Sequence, residues 1–243
     1  MTTCNTVKKV ALVVALGGLF AWQASAIVAY SMPNSVDTLG LQGPTYAGTY
    51  VLGNDFKVGA QNVTVTAVGA FDYGKDGWSP GMNVSVAIYQ LSAGSWNMVS
   101  GTAHTFSGTP SPGSYVGSDT FFNLGTSVTL LAGQTYSIVA ANYGSTGSAN
   151  NPDWNSTVNP GLRSGQLAFT SSTLISQLAG RWAMGSSLPG SGWAGGTAGN
   201  FNFGAGTFEF TAVPEAAGFA LAGVALLGLV YVGRCYSLKL KLA

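Results

Sequence analysis

Between residues 27 and 212 the chain repeats one pattern: short apolar–polar alternations of period two, cut apart by Gly, Pro, Asn and Ser. Successive side chains on a strand point to opposite faces, so this alternation marks strands with one buried face. Val63, Val65, Ala67 and Phe71 share one parity, with Thr64 and Thr66 on the other. Val84, Val86 and Ile88 alternate with Ser85, Ala87 and Tyr89. Tyr136, Ile138 and Ala140 alternate with Ser137, Val139 and Ala141, and Val128 with Leu130 makes a shorter run. Phe201, Phe203, Phe208 and Phe210 outline a last strand broken at Gly204 and Gly206. Weaker runs cover 49–58, 97–106, 120–124 and 166–170, and 174–178 fits either a strand or one helical turn. No long stretch of this region carries helical apolar spacing. About eight to ten short strands separated by turn residues predict an all-β domain, an antiparallel β-sandwich with jelly-roll-like connectivity. Three loops, 107–118, 144–165 and 183–200, are rich in Gly, Ser, Pro or Asn and lack periodicity. The last two are long for a compact domain, a length that often accompanies function.

The two ends differ from this middle. Lys8 and Lys9 precede an apolar run from Val10 to Phe20, and Ala24-Ser25-Ala26 follows. That order of charge, apolar stretch and small-residue site reads as a secretory signal peptide, residues 1–26, with Ile27 as the expected first mature residue; the alternative is an uncleaved N-terminal anchor. Cys4 precedes the apolar run, so it is no lipoprotein cysteine. At the other end, Val213-Pro214-Glu215 leads into an uncharged run of 18 residues, Ala216 to Gly233, then Arg234, Lys239 and Lys241. A spanning helix needs roughly 17–25 apolar residues, so the run just suffices. The expected topology places domain 27–212 outside the cytoplasm, the helix of 213–243 in the inner membrane, and Arg234, Lys239 and Lys241 inside.

This tail resembles the sorting signal of bacterial PEP-CTERM proteins: a Pro-Glu-Pro motif, a short transmembrane helix and a basic end. Val213, Pro214 and Glu215 match the motif's opening and Arg234 the first basic residue. Ala216 stands where the second proline would be, and the basic cluster is thinned to Arg234, Lys239 and Lys241, with Cys235 between. The resemblance implies processing by an exosortase, an integral-membrane enzyme of Gram-negative, often biofilm-forming bacteria. Release to the cell surface or extracellular matrix follows. Without processing the same run is a permanent anchor. The stretch from Leu52 to Tyr143 also resembles a domain of unknown function found in exported bacterial proteins. The matching pieces are Leu52-Gly53-Asn54-Asp55-Phe56, Val65-Thr66-Ala67-Val68-Gly69, Phe71-Asp72 with Asp76-Gly77, Val86-Ala87-Ile88-Tyr89 and Leu131-Ala132-Gly133-Gln134-Thr135-Tyr136. That resemblance implies a β-sandwich and no known activity.

Charge narrows the function. Residues 27–212 carry Asp37, Asp55, Asp72, Asp76, Asp119, Asp153 and Glu209 against Lys57, Lys75, Arg163 and Arg181. A domain without clustered Lys and Arg is not built for phosphate backbones, so a nucleic-acid partner is not expected. The cysteines, Cys4 and Cys235, both lie outside the domain, which therefore has no disulfide although export permits one.

Asp72 and Asp76 flank a loop with Gly74 and Gly77. They could lend oxygens to Ca²⁺, with backbone carbonyls completing a site of about six to eight ligands. Lys75 lies between them and no Glu follows at EF-hand spacing. The alternative is a turn whose Asp side chains bond backbone amides. His104 is the lone histidine, inside an expected strand, and no nucleophile-elbow motif accompanies it. Trp78, Trp96, Trp154, Trp182 and Trp193 fall in or beside expected loops. An indole packs against sugar C–H faces and its N–H bonds a hydroxyl, which makes Trp154 and Trp193 candidate glycan contacts. The alternative is that tryptophans plug the core at the sheet ends. The expected function is an exported, non-enzymatic β-protein, structural or glycan-binding among extracellular polysaccharide. A secreted polysaccharide-active hydrolase with a facing carboxylate pair is the alternative.

Overall fold

The computed structural model describes residues 25–31, 49–72, 75, 77–78, 83–108, 113–143, 168–169, 173–190, 196–197 and 203–213. Residues 1–24 of the expected signal segment, residues 214–243 of the expected sorting tail with Pro214, Glu215 and Arg234, and Asp76, Trp154 and Trp193 lie outside these residues. No helix among the described residues is long and apolar enough to cross a membrane. A compact unit spans Ala26–Val213.

The domain is all-β and antiparallel. In chain order its strands are β1 (Ile27–Val28), β2 (Tyr30–Ser31), β3 (Tyr50–Val58), β4 (Val63–Phe71), β5 (Asn83–Ser92), β6 (Ser95–Met98) and β7 (His104–Ser107). There follow β8 (Ser114–Val116), β9 (Asp119–Leu130), β10 (Thr135–Tyr143), β11 (Ala168–Phe169), β12 (Ile175–Met184), β13 (Gly196–Thr197) and β14 (Gly206–Ala212). One sheet runs β1-β14-β4-β9-β8. The other runs β13-β12-β3-β10-β5-β6, with β7 also on β5, and β11 pairs β2 separately.

The alternation seen in the sequence sets which face is buried. Leu52, Phe56, Val84, Val86, Ile88, Tyr136, Ile138 and Ala140 of the larger sheet share one core with Val63, Val65, Phe208 and Phe210 of the smaller. Phe56 of β3 and Phe208 of β14 meet across the sheets, centroids 4.9 Å apart. Each such fully buried aliphatic or aromatic side chain contributes about 1.5–3 kcal/mol, so packing can hold this domain without a disulfide. A second apolar cluster, Val51, Ala87, Tyr89, Trp96, Val139 and Ala141, lies on the outer face of the larger sheet. Leu188 packs on it and the Tyr89 hydroxyl donates to the Pro189 carbonyl at 2.6 Å. This covering explains why β10 is apolar at both parities.

Several boundaries differ from the sequence reading. The runs 120–124 and 128–130 are one strand, β9, because a bulge opposite Val65 and Ala67 takes residues 124–127 out of register. The run 97–106 is two strands, β6 and β7, separated by a turn in which Thr102 N–H donates to the Val99 carbonyl. Residues 175–178 of the run 174–178 belong to strand β12, not a helical turn. The expected loop 107–118 contains β8, and the last strand begins only at Gly206.

Register polarises the domain. β3 spans roughly 26 Å from Tyr50 to Val58 at ~3.3 Å per residue. At the Val58 end lie Thr135 (opposite Lys57), Ile175 (opposite Val58), and Leu130 and Ala212 (both opposite Val63). At the Tyr50 end lie Tyr143 and Met184 (both opposite Tyr50), with Asp119 opposite Phe71 and Gly206 opposite Ala70. The Tyr143 hydroxyl fastens the two sheets there, 2.8 Å from the Phe71 carbonyl and 3.0 Å from the Ala205 carbonyl. The chain enters at Ile27 and leaves at Val213 at the Val58 end, where the turns are short. The stretches 32–48, 72–82, 108–113 and 144–167 all connect at the Tyr50 end.

Candidate functional site

The Tyr50 end holds the Asp72 loop. Asp72 is fully buried just past β4. Both its carboxylate oxygens accept the Gly77 N–H, at 3.2 Å each. Oδ2 also accepts from the Thr120 hydroxyl at 3.3 Å and lies 3.1 Å from the Tyr115 hydroxyl. That same Tyr115 hydroxyl is 3.1 Å from the Lys75 carbonyl, so β8 and β9 hold the loop in place. Lys75 and Gly77 have positive φ, 59° and 84°, which the tight path back to the carboxylate requires. The Asp72 carboxylate therefore acts as the sequence's turn alternative describes, bonding a backbone amide. No group of three or more His, Cys, Asp or Glu that could hold a metal occurs among the described residues.

The tryptophans separate by role. Trp78 is fully buried, 5.3 Å from the Phe106 ring, and its backbone N–H donates to Gly108. Trp96 on β6 is buried in the outer cluster. Both are core plugs. Trp182 on β12 is 43% exposed, beside Tyr50 at 6.2 Å, and Met184 is 69% exposed. The strand neighbours of Trp182 are Leu52 on one side and Gly196 on the other, and the space a Gly196 side chain would fill is open. The chain that carries Trp154 departs from Tyr143, and the chain that carries Trp193 arrives at Gly196; both points belong to this end.

One constellation has no signal in the sequence. Arg181 Nη2 lies 2.6 Å from Asp55 Oδ2, and Arg181 Nε is 3.3 and 3.2 Å from the two Asp55 oxygens. Its guanidinium carbon stands 5.2 Å from the Trp96 ring centroid. The partners are far apart in sequence and meet only because β12 pairs with β3. Ser137 lies between Asp55 and Tyr89 in the same row of that face, and its buried hydroxyl has no hydrogen-bond partner among the described residues.

His104 does not form a catalytic arrangement among the described residues. Its ring stacks on Phe122 (3.5 Å, 6°) and meets the edge of Phe106 at 4.6 Å. Burial lowers its pKa, favouring the neutral ring. Burial likewise raises the Tyr89 hydroxyl and the Glu209 carboxyl. Comparison with protein families, with curated proteins and with solved structures gives no match.

Proposed function

We propose that the chain is an exported, non-enzymatic protein, sorted to the cell surface or extracellular matrix, where it serves as a structural or glycan-binding component. The observation that carries this reading is the polarity of the domain. Both apolar ends of the chain attach at the Val58 end, while the longer connections and the exposed Trp182 ledge belong to the Tyr50 end, roughly 26 Å away along β3. Val213, Pro214 and Glu215 are the processing motif for an exosortase, and Arg234 is the first residue of the basic end that follows the membrane helix.

The domain itself is a jelly-roll-like sandwich in this reading. Its support is the nesting of the pairs: β1 with β14, β3 with β10, β4 with β9, and β5 with β6. A long antiparallel hairpin wound on itself generates that nesting, in two sheets. β12 adds to the outer edge of β3.

Two of the described acids are committed to structural partners, which favours binding over hydrolysis at those positions. Asp55 is paired with Arg181, and Asp72 is turned into its own loop. Trp154, Trp193 and Trp182 are the proposed sugar contacts. The test is retention of the purified full chain on exopolysaccharide from the producing cells, with tryptophan fluorescence followed in parallel. Trp182→Ala, Trp154→Ala and Trp193→Ala should each weaken retention. No retention would leave a purely structural role, and release of new reducing ends would point to the hydrolase.

A further inference from the structure

The outer face of the larger sheet carries a polar row with a gap in its hydrogen bonding. Across the strands the row reads Asp55 on β3, Ser137 on β10 and Tyr89 on β5. Neighbouring strands lie about 4.8 Å apart, so the three side chains are evenly spaced. Arg181 projects from the next row on one side, opposite Gly53, and Trp96 from the next row on the other, opposite Leu91. Although three strands lie between β12 and β6, these two side chains meet, the guanidinium carbon 5.2 Å from the ring centroid.

Asp55 is paired with Arg181, and the Tyr89 hydroxyl with the Pro189 carbonyl. Ser137 is fully buried, and its hydroxyl has no partner among the described residues. On the same face of β10 its neighbours are Val139 and Ala141, both in the outer apolar cluster. Alanine would fill the position without the desolvation penalty of an unpaired hydroxyl. A buried polar group left unpaired calls for an explanation, and a partner that arrives from outside supplies one.

Residues 185–190 form a strap on this face. Its root is fixed, the Gly185 N–H donating to the Thr49 carbonyl at 2.8 Å. Beyond the root, among the described residues, the 2.6 Å bond from Tyr89 to Pro189 is its one hydrogen bond to the sheet. Leu188 packs on the apolar cluster but is only half-buried, and Ser186, Ser187 and Gly190 are exposed. A segment with so few bonds and so little buried surface opens at far lower cost than the domain unfolds.

We propose that this face is a gated site for one neutral sugar unit of a glycan, with the Tyr89–Ser137–Asp55 row as its floor and the strap 185–190 as its gate. The class of ligand rests on the glycan-binding reading. Lifting the strap frees the Tyr89 hydroxyl, a sugar hydroxyl then bonds Ser137, and ring C–H groups lie on the Trp96 indole as it parts from Arg181. The guanidinium stays on Asp55. That pair leaves the floor without net charge, which suits a neutral ring better than a uronate. The site is separate from the Trp182 ledge, because Arg181 and Trp182 are successive residues of β12 and point to opposite faces.

The experiment measures retention of the full chain, in detergent, on the neutral fraction of hydrolysed exopolysaccharide from the producing cells, with the acidic fraction as comparison. Ser137→Ala should raise the melting temperature, since it removes an unpaired buried group, and yet weaken retention about fivefold. Leu188→Ala should tighten retention about threefold, because a loosened strap lowers the cost of reaching the open state. Unchanged retention in both variants, with Trp182→Ala still weakened, leaves the glycan reading standing and overturns this site. Stronger retention on the acidic fraction overturns the neutral sugar, and no retention of the wild type overturns both readings. The gate has its own readout. Ser137→Cys, in a chain carrying Cys4→Ser and Cys235→Ser, should react with a small thiol reagent under native conditions, and adding Leu188→Ala should speed the reaction about threefold. A thiol that reacts only as fast as the whole domain unfolds overturns the gate.

Discussion

Ile27 stands opposite Phe210, so the strand that opens the domain is the sheet neighbour of the strand that ends it. The two strands are antiparallel, which puts the start of one beside the finish of the other. The described unit therefore begins at Ile27 and ends at Val213 on the same end of its sheets. Within the sheet β14 lies between β1 and β4, so the last described strand joins the first to the rest of the sheet.

The Asp55–Arg181 pair should behave as a buried ion pair. The two side chains are 6% and 15% exposed. Arg181→Ala strands the Asp55 carboxylate and should cost about 3–5 kcal/mol in urea unfolding. Replacing both, Asp55→Leu with Arg181→Met, should cost clearly less, because no charge is left without its partner. A single Arg181→Ala loss below about 1 kcal/mol would mark the pair as solvent-screened.

Asp72 should be a structural carboxylate. Asp72→Asn keeps the shape but turns an amide N–H₂ towards groups that already donate, and should cost about 2–3 kcal/mol. A cation would have to displace the Gly77 N–H and the Thr120 hydroxyl from the same oxygens. Calcium should accordingly leave the melting temperature of the full chain unchanged. A calcium-dependent rise that Asp76→Ala removes would show that Asp72 and Asp76 bind the ion, since a ligand specific for the native state stabilises it.

His104 gives a pH dependence of known sign. Its folded pKa lies below the ordinary 6.5 because burial disfavours the charged ring. Between the two values the unfolded chain binds more protons, so stability is present above 6.5 and is lost as pH falls through the folded pKa. Glu209 has the opposite sense: raised above 4.5 by burial, it takes stability away as pH rises through its folded value. Comparing the wild type with His104→Phe, which keeps the stack on Phe122, isolates the histidine. The variant should lose less stability than the wild type between pH 7 and pH 5 (from about half a unit above an unperturbed imidazole to about one and a half below it). Parallel curves would contradict the burial of the ring.

Much of the fold was legible because burial on one face writes itself as period two. β4, β5 and β10 follow the alternation of Val63–Val65, Val84–Val86–Ile88 and Tyr136–Ile138–Ala140. The pattern weakens where that physics changes. β9 has four residues, 124–127, where β4 has only Thr66; three are extra, so its parity breaks and it reads as two runs. β3 holds Gly53, Asn54 and Asp55 in its middle, and these polar residues are buried for specific partners: Asn54 bonds Phe203 and Asp55 bonds Arg181. No local pattern announces either contact. Trp78 and Trp96 looked like loop residues because Gly, Pro and Ser surround them, yet both are buried by chain segments distant in sequence. The Asp72 turn was legible as one of two alternatives, and Tyr115 and Thr120, which decide its geometry, carry no sequence signal linking them to it.

The most direct test of the account is the intact mass of the protein recovered from the cell surface and matrix of producing cells. Export and sorting predict a chain that begins at Ile27 and ends near Pro214-Glu215, with the full-length form confined to the inner membrane when the exosortase is deleted. Pro214→Ala with Glu215→Ala should reproduce that deletion. A surface protein whose chain still ends at Ala243 would contradict the account and make the C-terminal run a permanent anchor.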